Sequence, residues 1–448
     1  MKRNVTLISL VAAMGGFLFG FDTAVISGVE QTIQQLWKLD DLSHGFAVAA
    51  ALYGTVVGAL FAGIPVDMLG RKKTLFWVGV LYFVSAVGSA VAPEEYSFMF
   101  FRFIGGLGVG ASSVAAPMYI SEIAPARSRG RLVALFQFNI VLGILVAFAS
   151  NYLIKGTGVN DWRWMLGVEA IPAALFVALI PFIPRSPRWL IVMMNNVNEA
   201  RAILTSLDPE NAESSIKAIQ KEHQEATLTD RRTFFSSKRY TKPILLVILF
   251  AVFNQVSGIN AIIYYAPRIF EMTGLADRTA LFSTMGIGLV NLIFTMLGMV
   301  LIDRAGRKLL MLLGSAGLIT SLALVAGAFY WERFAGVPYF LFLYIAFFAM
   351  SQGAVIWVFI SEVFPNEVRG MGQSLGSFTH WILAAVIANV FPYFANQFGG
   401  DTVFTFFTVM MVLQLLFVWF VMPETKGRTL EEIGSSMSTG PAEVRQPS

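Results

Sequence analysis

Along the 448 residues of the chain, charged positions gather in short clusters, and the ground between them stays apolar for about 20 residues at a time. An α-helix rising ~1.5 Å per residue needs about that many apolar residues to cross a hydrocarbon core of ~30 Å. The pattern predicts twelve spans, at 5–28, 44–66, 74–92, 97–120, 132–154, 163–183, 243–265, 280–302, 309–330, 338–361, 373–398 and 402–422. Composition agrees: 56% of residues are apolar and 13% charged, where soluble proteins average ~25% charged. An all-α polytopic membrane protein follows. The basic start and apolar run of MKRNVTLISLVAAM resemble a signal peptide, but no A-x-A-like site follows and the run continues to span length, so it is read as the first helix.

Orientation follows from the basic residues. Of 32 Lys and Arg, 25 fall on one set of connecting segments if both termini are cytoplasmic, and six (Lys38, Lys155, Arg163, Arg268, Arg278, Arg333) fall on the other; Arg102 lies inside a span. The positive-inside rule selects that topology, a multi-pass protein of the cell (inner) membrane. The basic balance is thereby explained by loops facing anionic lipid, and no nucleic-acid partner is implied. With no cysteine, disulfides, thiolate metal sites and thiol nucleophiles are excluded.

Three signatures recur in order. DMLGRKK (67–73) returns as DRAGRKL (303–309), SEIAPARSRG (121–130) as SEVFPNEVRG (361–370), and IPRSPR (183–188) is answered by MPETKGR (422–428), each displaced by about 236 to 240 positions. The chain therefore divides into a first six-helix half, 1–183, a linker with short surface helices, 184–242, a second half, 243–434, and a tail, 435–448. Carriers built of such parallel halves hold substrate between them near the membrane midplane.

Within this frame Asp22 is anomalous, a carboxylate inside GGFLFGFDTAVISG. It lies eight residues before Glu30, and Arg102 seven or eight after Glu94 and Glu95, so the two share a depth ~12 Å inside the outer boundary. An unpaired Asp or Arg at a span centre costs at least ~2.5–3.5 kcal/mol. Either the two form a structural ion pair, or Asp22 carries a proton whose binding depends on where Arg102 stands. Glu169, eight residues after Asp161, sits similarly deep. The cytoplasmic ends repeat Asp67, Arg71, Glu122 and Arg129 as Asp303, Arg307, Glu362 and Arg369. Positive-inside alone would supply only cations, so the acids point to a salt-bridge lock that closes the inner side. GGLGVG (105–110) imitates a dinucleotide loop but lies within a span, where small residues serve packing. No P-loop is present, and the three histidines (44, 223, 380) are scattered, so no cofactor, metal or enzymatic chemistry is indicated.

FGFDTAVISG, the D-x-x-GRK repeats, FRFIGGLGVG before PMYISEIAP, IPRSPRWL, QVSGIN and PETKGRTLEEI together resemble the sugar porter family of the major facilitator superfamily, closest to its bacterial proton-coupled, xylose-type members, over about 5 to 433. The resemblance implies a proton-coupled monosaccharide symporter, acting as a monomer, with Asp22, Arg102 and Glu169 in proton coupling. A passive facilitator, or less readily a sugar sensor, is the alternative. It also assigns sugar contacts to Phe19, Asn254, Gln255, Asn260, Tyr264, Asn291, Gly353, Trp357 and Trp381. Gln255 and Asn260 are five residues apart, ~500° of helical turn, and reach one ligand only if Gly258 breaks the helix. Two positions depart from the family: Ile144 stands where Gln is usual, and His380 where Gln or Asn is common. Gln137, seven residues before Ile144, and Asn139 are candidates to compensate.

Overall fold

The computed structural model describes residues 4–125, 127–226, 234–235, 238–364 and 368–426; the tail expected at 435–448 lies outside them. Among the described residues all regular structure is helical. Eleven stretches are long and apolar enough to cross a membrane: Val5–Gly28, Asp41–Phe61, Arg71–Val91, Glu95–Ile123, Arg129–Ile154, Asp161–Phe182, Tyr240–Met272, Asp277–Ala305, Arg307–Tyr330, Phe334–Val363 and Gly370–Phe420. The last, 51 residues, would run ~77 Å if straight. It turns at Gly399 (φ 82°, ψ 161°), a conformation open to glycine, and so supplies the eleventh and twelfth spans.

The sequence repeat is a geometric repeat. Gly70 (φ 83°, ψ 156°) ends the second span's helix and opens the third, and Gly306 (φ 90°, ψ 164°) does the same between the eighth and ninth. Arg71 reaches back to the Val66 carbonyl at 3.2 Å, Arg307 to that of Ile302 at 3.0 Å. Ser186 donates to Glu122 at 2.5 Å, and Thr425 to Glu362 at 2.6 Å. Each half is thus tied at one end by the same three-helix clasp.

Close backbone approach follows from small residues. Gly106 and Gly110 of GGLGVG lie against the backbones of Ala51 and Thr55, and Gly16 and Gly20 against Phe136 and Ile140. Across the halves, Gly45 abuts the Asn389 carbonyl, and Gly288 packs on Leu145 and Phe148. Asn396 donates to Asp41 at 2.8 Å. These contacts close the bundle at the end that bears Glu30 and Arg268. At the other end the Arg71 and Arg307 ion pairs each stay within one half. The connecting segment forms helices Pro187–Val192, Val197–Leu207 and Ala212–Ala226, which share a small core of Trp189, Leu190, Ile203, Leu204 and Ile216.

Candidate functional site

The first and fourth spans bring Asp22 and Arg102 together. Arg102 Nη1 donates to Asp22 Oδ1 at 2.6 Å and Nη2 to the Asp22 backbone carbonyl at 2.9 Å, and both side chains are 1% exposed. Pairing is thus how the bilayer's penalty for each charge is offset. The pairing is incomplete: Asp22 Oδ2 and Arg102 Nε have no partner. Glu169 is equally buried, at the break between helices Asp161–Gly167 and Ala170–Leu179, within electrostatic reach of both. Its Oε1 is also unpartnered. Tyr264, from the other half, meets Thr23 beside this group.

The seventh span supplies the amides, and Gly258 is where it breaks. The helix Lys238–Gln255 ends, Gly258 takes the left-handed conformation (φ 87°, ψ 10°) and a new helix runs Ile259–Met272. Asn260 then donates to Gln255 Oε1 at 2.6 Å, and Gln255 Nε2 donates to Asn254 Oδ1 at 3.0 Å and to His380 Nδ1 at 3.0 Å. Asn254 Nδ2, buried, has no partner. An aromatic row continues from His380: Trp357 lies 5.0 Å away between ring centroids, Trp381 4.7 Å, and Phe19 of the first half 5.5 Å beyond Trp381. Trp357 is 37% exposed. Gly353, one turn before it, would bring an added Cβ only into ordinary contact with Phe348, at 3.5 Å, so protein packing does not require glycine there. Among the described residues no hydrogen bond or ring contact joins Gln137 to this cluster, and Asn291 bonds only Thr295, at 3.4 Å.

The fifth span shows where Ile144 points. Phe136, Ile140 and Gly143 meet the first span, whereas Leu145, Phe148 and Tyr152 meet the eighth. At ~100° per residue, Ile144 and Gln137 fall between these two faces, only ~20° apart, at the boundary between the halves, where Ile144 is buried in the core.

At the end opposite the closed seam, Arg71 pairs with Asp67 at 3.3 Å and Glu122 at 3.0 Å, and Arg307 with Asp303 at 3.5 Å and Glu362 at 2.7 Å. Arg129 is exposed, and the Arg369 side chain lies outside the described residues. The charges thus form one cluster per half.

Two networks escape sequence reasoning. At the closed end, Arg268 donates from Nε and Nη2 to Glu30 Oε1 and Oε2 at 3.0 and 2.8 Å, and to Gln34 at 2.5 Å, while His44 meets Glu30 Oε2 at 2.9 Å. Inside the second half, Gln352 donates to Gln414 at 2.8 Å and Gln414 to Ser315 at 3.0 Å.

Comparison with known proteins accords with this geometry. The family profile described as "Sugar (and other) transporter" matches residues 8–436. The arabinose-proton symporter of Bacillus subtilis (strain 168) is 35% identical over 438 residues, 96% of this chain and 94% of that protein. The inward-open structure of the xylose transporter XylE from E. coli superposes with TM-score 0.86 at 33% identity, covering 97% of this chain and all of that one. The structure of the proton:xylose symporter XylE bound to 6-bromo-6-deoxy-D-glucose gives TM-score 0.82 at 34% identity, covering 97% and 99%.

Proposed function

We propose that this chain, which belongs to the sugar transporter family, is a proton-coupled monosaccharide symporter working by alternating access. The observation that carries the reading is the buried Asp22–Arg102 pair, placed beside an amide and aromatic cluster that draws on both halves. A hexose or pentose needs several hydrogen-bond partners and an apolar ring face to rest on. Asn254, Gln255, Asn260 and His380 supply the first; Trp357, Trp381 and Phe19 supply the second. Asn291, Gln137, Gly353 and Tyr264 complete the proposed lining.

Asp22 is the proposed proton carrier. Its Oδ2 is unengaged and available to a proton, while Arg102 also holds the backbone carbonyl, so the guanidinium keeps an anchor when the carboxylate is neutralised. Movement of Arg102 relative to Asp22 then alternates the site between binding and release. Glu169, buried within reach of both, is the proposed second member.

The basic loops place the Arg71 and Arg307 clusters on the cytoplasmic side, with both termini. The seam at Glu30 and Arg268 is then the closed outer gate, and the described state faces inward. The halves 1–183 and 243–434 rock about the site, with 184–242 as their linker, in a monomer embedded in the bilayer. Asp67, Arg71, Glu122 and Arg129, with Asp303, Arg307, Glu362 and Arg369, form the cytoplasmic lock of the opposite state. Uptake of labelled xylose and arabinose into proteoliposomes, with and without an inward proton gradient, tests the reading. Accumulation only with the gradient is expected; equal uptake under both conditions indicates a passive facilitator.

A further inference from the structure

The closed seam at Glu30 contains a titratable group that the proposed coupling site does not use. His44, fully buried, belongs to the second span; its Nε2 faces two acceptors of the first half, Glu30 Oε2 at 2.9 Å and the Glu30 carbonyl at 3.0 Å. Arg268 from the second half holds the Glu30 carboxylate through two nitrogens, and Nε2, which faces two acceptors, is the ring nitrogen that carries the hydrogen. Nδ1 is buried with no partner. A bare ring nitrogen tolerates this position, whereas an N–H there would be a buried donor with nothing to accept it. The closed seam therefore offers a second ring hydrogen no acceptor.

Opening changes the balance. Glu30 and His44 travel with the first half and Arg268 with the second. When they part, Glu30 loses its bidentate cation and keeps His44 as its partner. Against the ring stand Glu30 of the helix Glu30–Trp37 and Tyr265 of the seventh span, 6.0 Å away between ring centroids; Arg268 reaches Glu30 and Gln34, while at the start of His44's own helix Asp40 caps Ser43 and Asp41 accepts from Asn396. The Gly45–Asn389 contact brings the eleventh span alongside. Once Arg268 withdraws, the Glu30 carboxylate is left facing the ring.

We infer that His44 is a second proton-binding site of the carrier, empty while the outer gate is closed and filled when it opens. A proton that binds one state better shifts the population to that state. Acid outside thus favours the outward-open form, before and apart from any proton on Asp22. The inference rests on the inward-facing orientation proposed above. It places proton sensing at the gate as well as at the coupling site.

The chain has no cysteine, so Leu36→Cys and Phe398→Cys, both exposed and on opposite sides of the seam, accept spin labels cleanly. Distances between the labels in nanodiscs report the open fraction. Lowering pH from 8 to 5.5 is expected to raise that fraction at least about five-fold, equally in an Asp22→Asn background. His44→Gln, which keeps a donor for Glu30 without titrating, should flatten the response to less than two-fold. Arg268→Gln, which leaves His44 as the standing countercharge, should open the seam already at pH 8. A response that survives His44→Gln and vanishes with Asp22→Asn overturns the inference and leaves symport intact. A response as described, in a protein whose sugar uptake ignores a proton gradient, overturns the symport reading instead.

Discussion

Asn260 donates to Gln255 at 2.6 Å, although in an unbroken helix their side chains would point ~140° apart. Gly258 makes the contact possible, and with it a site in which Gln255 and Asn260 bond each other before sugar arrives while Asn254 Nδ2 waits for a partner. Replacement of Gln255 by Ala leaves one sugar hydroxyl, together with Asn260 and His380, short of a partner. Calorimetry should show weakening by ~1–3 kcal/mol. Gly258→Ala should do at least as much, because its Cβ would meet the Phe407 ring at 2.6 Å in a conformation that non-glycine residues adopt at a cost of about 1–2 kcal/mol.

Ile144 lies buried at the boundary between the halves beside Gln137, and its wall is apolar. Such a wall fails to reward a hydroxyl without strongly rejecting one. Ile144→Gln should therefore tighten xylose or glucose by one net hydrogen bond of ~0.5–1.5 kcal/mol, roughly two- to twelve-fold in Kd. Binding of no sugar improved across a monosaccharide panel would mean that Gln137 already fills this role.

Glu362 joins Arg307 and Thr425 at the inner end of the second half. Glu362→Gln should raise labelling of cysteines introduced in the inner cavity by up to about five-fold, the worth of a partly exposed pair at ~0–1 kcal/mol. Unchanged labelling would make these charges topology signals alone.

Glu424 lies beyond the last span. Burial works against its carboxylate, but four backbone N–H groups, of Lys426, Arg307, Lys308 and Thr425, outweigh it and hold its carboxyl below the usual range. A depressed value in the folded state contributes stability that is fully present above the unfolded value near 4.5 and lost as pH falls through the folded one. Glu424→Gln should accordingly lower the melting temperature in detergent at pH 7 and leave less to lose between pH 5 and pH 3 than the parent has.

Much of this was legible in the chain because a bilayer leaves few alternatives. Spans must be apolar and long, and a buried Asp must find a cation, which singled out Arg102. The ~500° offset of Gln255 and Asn260 demanded a break, and the glycine for it stood between them. The seam of Glu30, His44 and Arg268 was not legible. Each lies near a span end, where a charge in water needs no partner, and only docking of the two halves buries them. The Gln352–Gln414–Ser315 network hid for a related reason: interior amides bond whichever neighbour the packing supplies, and spacing along the chain does not say which.

The central claim is that Asp22 couples sugar to the proton. Asp22→Asn keeps the size of the side chain and a hydrogen-bonding amide while removing the titration. The direct measurement compares, in the same proteoliposomes, sugar counterflow with gradient-driven accumulation. Counterflow near the parent's rate with accumulation abolished is the expected result. Accumulation by Asp22→Asn as steep as the parent's would contradict the account, leaving the Asp22–Arg102 pair a structural tie between the first and fourth spans.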